Sequence, residues 1–159
     1  MALGKSVTSS SVAHGGTPEK AVDGKSNEGK YKAEFCAHTK KEPSFLSVDM
    51  DGEHRIKDIT LVGRADECGQ DCKEQTQGWT IRVGNAGKDT DPICKENVDA
   101  FGGKLVTIQC ETDLSGRYVT VFHHTWMVLC EIQVFVEKPG LRLLQSLFLH
   151  VSKNLISLK

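Results

Sequence analysis

The chain has no apolar run of about 18 residues, so no membrane-spanning helix is expected. It has no charge excess either. The formal net charge is −1, which removes the electrostatic footprint of a nucleic-acid binder or of a protein drawn to an anionic membrane. Paired CxxC spacings are missing, which argues against a zinc site. The segment CGQDC, Cys68 to Cys72, has one residue too many between its cysteines for a thioredoxin-type redox motif. The N-terminal MALGKSVTSSS lacks the apolar stretch of a signal peptide. Helical periodicity is absent through residues 1–136, and no internal repeat is present.

What is there points the other way. Six cysteines, Cys36, Cys68, Cys72, Cys94, Cys110 and Cys130, form an even set in a chain of 159 residues. Even sets in modest domains usually mean disulfides and an oxidising compartment, so a secreted or extracellular protein is expected. The length suits one domain with a real core. Short strand-like segments recur at Ser44–Met50, Asp58–Val62, Trp79–Val83, Lys104–Gln109, Arg117–Phe122 and Glu131–Val136. WTIRV alternates apolar and polar residues as a half-buried strand does, and RYVTVF and EIQVFV alternate too. GKSNEGK, DGEH, GNAGKDTDP and FGG between them are turn-forming. Many short strands at such spacing predict an all-β domain, a β-sandwich or jelly roll, over residues 1–136.

The pattern breaks at Glu137-Lys138-Pro139-Gly140. Beyond it Leu141, Leu144, Phe148, Val151, Leu155 and Leu158 recur at spacings of three and four, an apolar helical stripe. Residues 137–159 therefore read as a C-terminal extension with a basic, amphipathic helical pattern. Three fates compete for it: docking on its own domain or pairing with copies of itself, contact with a membrane surface, or a poorly structured tail.

Charged residues gather around two loops. His38 lies two residues after Cys36, Arg64 and Asp66 follow a predicted strand, and Lys73 follows Cys72. In a sandwich such loops collect at one end, where binding surfaces are built. A neutral imidazole accepts a hydrogen bond, and Arg and Lys donate several. Asp66 can hold Arg64. This kit suits the hydroxyls and ring oxygen of a sugar, although each residue taken alone is more simply a solvated loop charge. The pair His123-His124 is a poor enzyme signal, because adjacent strand residues face opposite ways. A hydrolase needs a nucleophile with its base, or two flanking carboxylates, and no enzyme is expected.

In order along the chain, ALGKSVTSSS, KAVDGK, CAHT, SVDM, Arg64-Ala65-Asp66, GWTIRVGN, GRYVTVF and LCEIQVF resemble the F-type lectin (fucolectin) family over nearly all of residues 2–136. The His, spacer, Arg-x-Asp pattern is carried here by His38, 25 intervening residues, and Arg64 to Asp66. The resemblance implies a discoidin-like jelly-roll sandwich that binds terminal α-L-fucose without catalysis. It implies that His38 and Arg64 hydrogen-bond the sugar, that Lys73 supplies the second basic group, and that Asp66 orients the basic pair. A disulfide between Cys68 and Cys72 would lie near the sugar; the family's two cysteines are adjacent, whereas these are three residues apart. His14, Tyr31 and Phe35 are candidate apolar contacts from neighbouring loops.

The same resemblance implies the pairs Cys36–Cys130 and Cys94–Cys110. It also implies a structural Ca²⁺ held by the side chains of Asp23 and Glu131 and the carbonyls of Lys20, Lys25, Phe35 and Cys130, a hard-oxygen set suited to that ion. Fucosylated glycans or glycoproteins are the expected partners, with self-association open. An adhesion or gamete-recognition module on the same scaffold, with altered specificity, is the alternative. Innate recognition and cell adhesion are both uses such domains serve in the family.

Overall fold

The computed structural model of the chain describes residues 2–25, 35–65 and 69–137. The expected helical extension over 137–159 falls outside them from residue 138 onward, as do Tyr31, Asp66 and Cys68. The architecture is the predicted β-sandwich. Its strands are β1 (Ser6–Ser9), β2 (Ala37–His38), β3 (Ser44–Gly63), β4 (Trp79–Gly84), β5 (Ile93–Val98), β6 (Val106–Ile108), β7 (Ser115–His123) and β8 (Val128–Val136). One helix, α1 (Gln70–Thr76), and a 3-10 turn at Pro18–Val22 complete the described elements.

β3 belongs to both layers. Its first part pairs antiparallel with β1 and β7, and β7 continues to β4 and β5. Its second part pairs with β8 and β6, and β8 also pairs with β2. Between the two parts the register with β7 shifts at Asp49/His54, and Asp51 takes φ 64. The DGEH segment was expected to be a turn between two strands. The ladder instead runs through it, and the irregularity turns the chain from one sheet into the other.

Alternation decides which face goes inward. Trp79, Ile81 and Val83 of β4 are fully buried while Thr80 and Arg82 are only partly so. With Leu46, Val48, Ile59, Leu61, Val119, Val121, Ile132 and Val134 they form the main core between the layers. At about 25 cal/mol per Å² of apolar area removed from water, this layer is the dominant stabilising term. The hydroxyls of Ser47 and Thr120 are buried inside the first sheet and satisfy each other at 2.8 Å.

β8 departs from simple alternation. Val128 to Ile132 are all buried, because β8 is the middle strand of its layer and its outer face is also covered. A second, smaller cluster of Cys36, Val62, Val128 and Cys130 sits on that outer face. The register with β3 skips one residue of β8, from Val62↔Glu131 to Gly63↔Leu129.

Several elements carry no periodic signal in the sequence. β1 and β2 have four and two residues. β5 exposes Ile93, Glu96 and Asn97, and its register with β4 is broken twice. α1 was not expected at all. Its buried residues are Cys72, Gln75 and Thr76, so the inward face is mainly polar and lacks the apolar stripe that marks a helix. The segment expected as Lys104–Gln109 is a strand only at Val106–Ile108. His123 and His124, expected to face apart, have ring centroids 4.4 Å apart, because β7 ends at His123 and alternation ends with it.

Candidate functional site

The two ends of β8 differ in what they carry. At its N-terminal end Val128 pairs with His38 of β2, and Leu129 pairs with Ala37 on one side and with Gly63 of β3 on the other. Arg64 follows Gly63 directly, just past the end of β3, on the opposite side of β8 from β2. Directly paired residues of an antiparallel ladder point to the same face. His38 therefore shares the outer face with Val128, and Arg64 follows a residue, Gly63, that pairs with the core-facing Leu129. Two strand spacings separate the backbones, about 9 to 10 Å, a span that suits a single sugar ring between the side chains.

His38 is 4% exposed. The loop after β1 holds it there: Ala13 N–H donates to the His38 carbonyl at 3.0 Å, and His38 N–H donates to the Gly16 carbonyl at 2.9 Å. A Cβ on Gly16 would lie 2.6 Å from the His38 nitrogen, so only glycine permits that approach. His14, exposed at the tip of this loop, presents its ring edge-on to the His38 ring at 5.7 Å. The Gly15-Gly16 pair was the available sequence signal for this close approach. The Cys36–Cys130 disulfide fixes β2 against β8 one residue further along, as expected from the resemblance.

Arg64 is 9% exposed and held from the other direction. Its Nη1 donates to Gln75 Oε1 at 2.8 Å, and its carbonyl accepts from Gly102 N–H at 3.2 Å. Gln75 is buried in α1, and its own carbonyl accepts from the Trp79 indole N–H at 3.1 Å. Ala100 N–H donates to the Thr76 carbonyl at 2.8 Å, and the Ala100 carbonyl accepts from Gly63 N–H at 3.1 Å. The end of α1 is thus tied to the residue that aims Arg64. Sequence reasoning missed Gln75, since nothing about a lone glutamine in a loop marks it.

Lys73 is exposed on α1. Two residues along an α-helix are about 200° apart, so Lys73 and Gln75 lie on different faces. Cys72 is fully buried and disulfide-bonded; the expected partner, Cys68, and the expected orienting acid, Asp66, lie outside the described residues. Cys94–Cys110 is paired as expected, and the described residues hold no free cysteine. Phe35 is 48% exposed, a solvent-facing aromatic beside Cys36.

A second constellation lies behind the first. Glu131 is 1% exposed, and its Oε2 has no hydrogen-bond partner among the described residues. Burial, then the negative charge of Asp23, pushes its carboxyl up to about 7, while the Gly24 N–H and Gln133 pull the other way. Asp23 closes the 3-10 turn, and its carboxylate accepts from Lys25 N–H at 2.9 Å, with Lys25 Nζ 3.5 Å away. Two carboxylates facing each other, one with an orphaned buried oxygen, are what a hard cation would relieve. Among the described residues no three His, Cys, Asp or Glu side chains converge. A cation here would complete its shell with carbonyls, for which Lys20, Lys25, Phe35 and Cys130 are the expected donors. The residues present fit a bound Ca²⁺.

His123 is the remaining buried titratable group near this end. Its Nδ1 lies 2.7 Å from the Trp126 carbonyl, and burial holds its imidazole below the ordinary histidine range.

Comparison with known proteins follows this geometry. A family profile described as a NedA-like, galactose-binding domain of the F5/F8 type C group matches residues 20–121. Fucolectin-3 of Anguilla japonica is 31% identical over 125 residues, covering 76% of this chain and 67% of that protein. The crystal structure of an f-lectin (fucolectin) from Morone saxatilis, striped bass, superposes with a TM-score of 0.74 at 27% identity, covering 87% of this chain and 50% of that one. The lectin domain of lectinolysin complexed with Lewis B antigen shares the fold, with a TM-score of 0.68 at 24% identity over 86% of this chain and 96% of that one. With Fucolectin-3 matched at 31% identity over two thirds of its length, within the fold group that the profile describes, the chain belongs to the F-type lectin (fucolectin) family.

Proposed function

We propose that this chain is a non-catalytic lectin that binds terminal α-L-fucose on glycans, with Arg64 donating to sugar hydroxyls and His38 to the ring oxygen or a hydroxyl. The observation that carries the reading is the pairing of His38 with Val128 and of Gly63, the residue before Arg64, with Leu129 at one end of β8. Both side chains are mostly buried, His38 on a paired strand and Arg64 against Gln75, so little conformational entropy is lost when a sugar arrives. A hydrophobic contact for the sugar's methyl-bearing face would come from neighbouring loops, with Phe35 and His14 as the exposed candidates.

A structural Ca²⁺ at Asp23 and Glu131 completes the reading. The ion would neutralise the paired carboxylates and pin the chain that leads from Asp23 to Phe35 and His38. His38, Arg64, Asp23 and Glu131 need no reactive group between them, which agrees with binding as the whole activity. The disulfides suit an oxidising, extracellular setting. A single site of this kind binds modestly, so fucosylated surfaces presenting many copies are the natural partners. No helix among the described residues is long and apolar enough to cross a membrane. One feature favours the adhesion reading: Gln70, Asp71, Lys73 and Glu74 of α1 are all exposed beside the site, a charged ridge available to a glycoprotein surface.

The test is a glycan array with fucosylated and non-fucosylated glycans, run with Ca²⁺ and with EDTA. Wild type should bind the fucosylated set, His38→Ala and Arg64→Ala should lose it, and EDTA should weaken it. Equal binding of both glycan sets, or unchanged binding after both substitutions, would sink the lectin reading.

A further inference from the structure

We infer that the polar group completing the Arg64 side of the sugar site is the neutral amide of Gln75, a positioning residue, and not the cation Lys73. The inference rests on the fucose reading and deepens it. Its basis is a chain of contacts. Arg64 Nη1 donates to Gln75 Oε1 at 2.8 Å. Gln75 is 1% exposed, so its amide orientation is fixed by burial. Its backbone carbonyl is occupied by the Trp79 indole, and Trp79 itself is fully buried. The next residue, Thr76, donates its hydroxyl to the Cys72 carbonyl at 2.7 Å, which closes the last turn of α1. Thr76 also packs against Gly63, where a Cβ would meet Thr76 Cγ2 at 2.7 Å and the Ala100 carbonyl at 2.5 Å.

Each of these contacts limits the motion of one guanidinium. An arginine on a loop would otherwise sample many rotamers, and freezing them costs side-chain entropy. Gln75 settles the direction of Nη1 before ligand arrives. The contact is a charge-assisted hydrogen bond from the guanidinium to the amide oxygen. Lys73 cannot share this task from its place on α1: it is exposed and about 200° around the helix from Gln75. On α1 the lysine is exposed and the glutamine is buried.

Titration calorimetry with free L-fucose on wild type, Arg64→Ala, Gln75→Leu, Gln75→Glu and Lys73→Ala tests the assignment. Gln75→Leu keeps the volume and removes the acceptor, and should weaken binding about tenfold to a hundredfold. Gln75→Glu restores an acceptor for Nη1 and should recover most of the affinity, a rescue that a purely packing role would not show. Lys73→Ala should stay within about twofold of wild type. Thermal melts establish that each variant is folded. If Gln75→Leu does not fold, the Gln75→Glu and Lys73→Ala arms still decide. An independent readout is the Arg64 side-chain NMR signal: its Nη–H resonances should be slowed in exchange in wild type and lost in Gln75→Leu. Wild-type affinity in folded Gln75→Leu, or a loss in Lys73→Ala equal to that in Arg64→Ala, overturns the inference. If wild type binds no fucose but the Arg64 resonances depend on Gln75, the fucose reading fails and the positioning contact stands.

Discussion

His38 and Arg64 lie on opposite sides of β8 at its N-terminal end, but they are held by different means. On the His38 side the restraint is covalent and strand-based: the Cys36–Cys130 disulfide and the pairing of β2 with β8. On the Arg64 side the restraint is a relay of neutral hydrogen bonds and close packing, from Gly63 through Ala100 and Thr76 to Gln75. The first kind resists thermal motion but depends on redox state and, on the calcium reading proposed above, would depend on a cation. The second depends on neither, but each of its bonds is individually weak and can be lost to a single substitution. A site built from both halves is held on one side by a covalent bond and on the other by hydrogen bonds and close packing.

Substitutions can break the two sides separately. The largest effect is expected from replacing both Cys36 and Cys130 by Ser. Their separation of 94 residues gives a loop whose closure is worth about 4 kcal/mol in the chain-entropy picture. Chemical denaturation should show that loss, with fucose affinity falling as well because β2 loosens. The matching change at Cys94 and Cys110, separated by 16 residues, should cost about 3 kcal/mol and leave affinity nearly unchanged.

Next comes Arg64→Ala, which should lower fucose affinity about a hundredfold in calorimetry while the melting temperature moves little. Calcium separates the sides in another way. At about a hundredfold excess over its Kd, Ca²⁺ should stabilise wild type by nearly 3 kcal/mol. Glu131→Gln should abolish that increment and leave the Gln75–Arg64 contact intact. Gly63→Ala should cost about 1 to 3 kcal/mol through overpacking against Thr76 and Ala100. It should reduce affinity through the Arg64 side alone, so added Ca²⁺ should not restore it.

The smallest effect concerns His123. Burial depresses its pKa in the fold, so the neutral ring's contribution is present above the ordinary value of about 6.5. That contribution is lost as pH falls from there through the depressed folded value. Denaturation midpoints should therefore drop on acidification below neutrality. His123→Asn, which can still donate to the Trp126 carbonyl but does not titrate, should show a flatter profile.

Much of the sandwich was legible because its strands bury one face and alternate: WTIRV and RYVTVF are core strands where they were expected. β1, β2 and β5 were not legible, since they are too short or too irregular to carry a period. DGEH was read as a turn from composition, and composition could not reveal that the ladder continues through it. In the site, His38 and Arg64 stood out through a motif and its spacing. Gln75 did not, because its importance comes from what it touches. The expected part played by Lys73 rested on its place after Cys72 in the chain, and sequence order does not say which way a helical side chain turns.

The amino-acid sequence by itself determined the all-β class, the even cysteine set and the identity of the motif residues, because alternation, cysteine number and motif spacing are local properties of a chain. Only the tertiary structure decided that His38 and the residue before Arg64 pair with neighbouring residues of β8, that buried Glu131 feels the charge of Asp23, and that Gln75 rather than Lys73 turns toward Arg64. Those are relations between segments far apart in sequence. They depend on strand register, a one-residue bulge and the rotation of a short helix, which are settled when distant surfaces pack and not before.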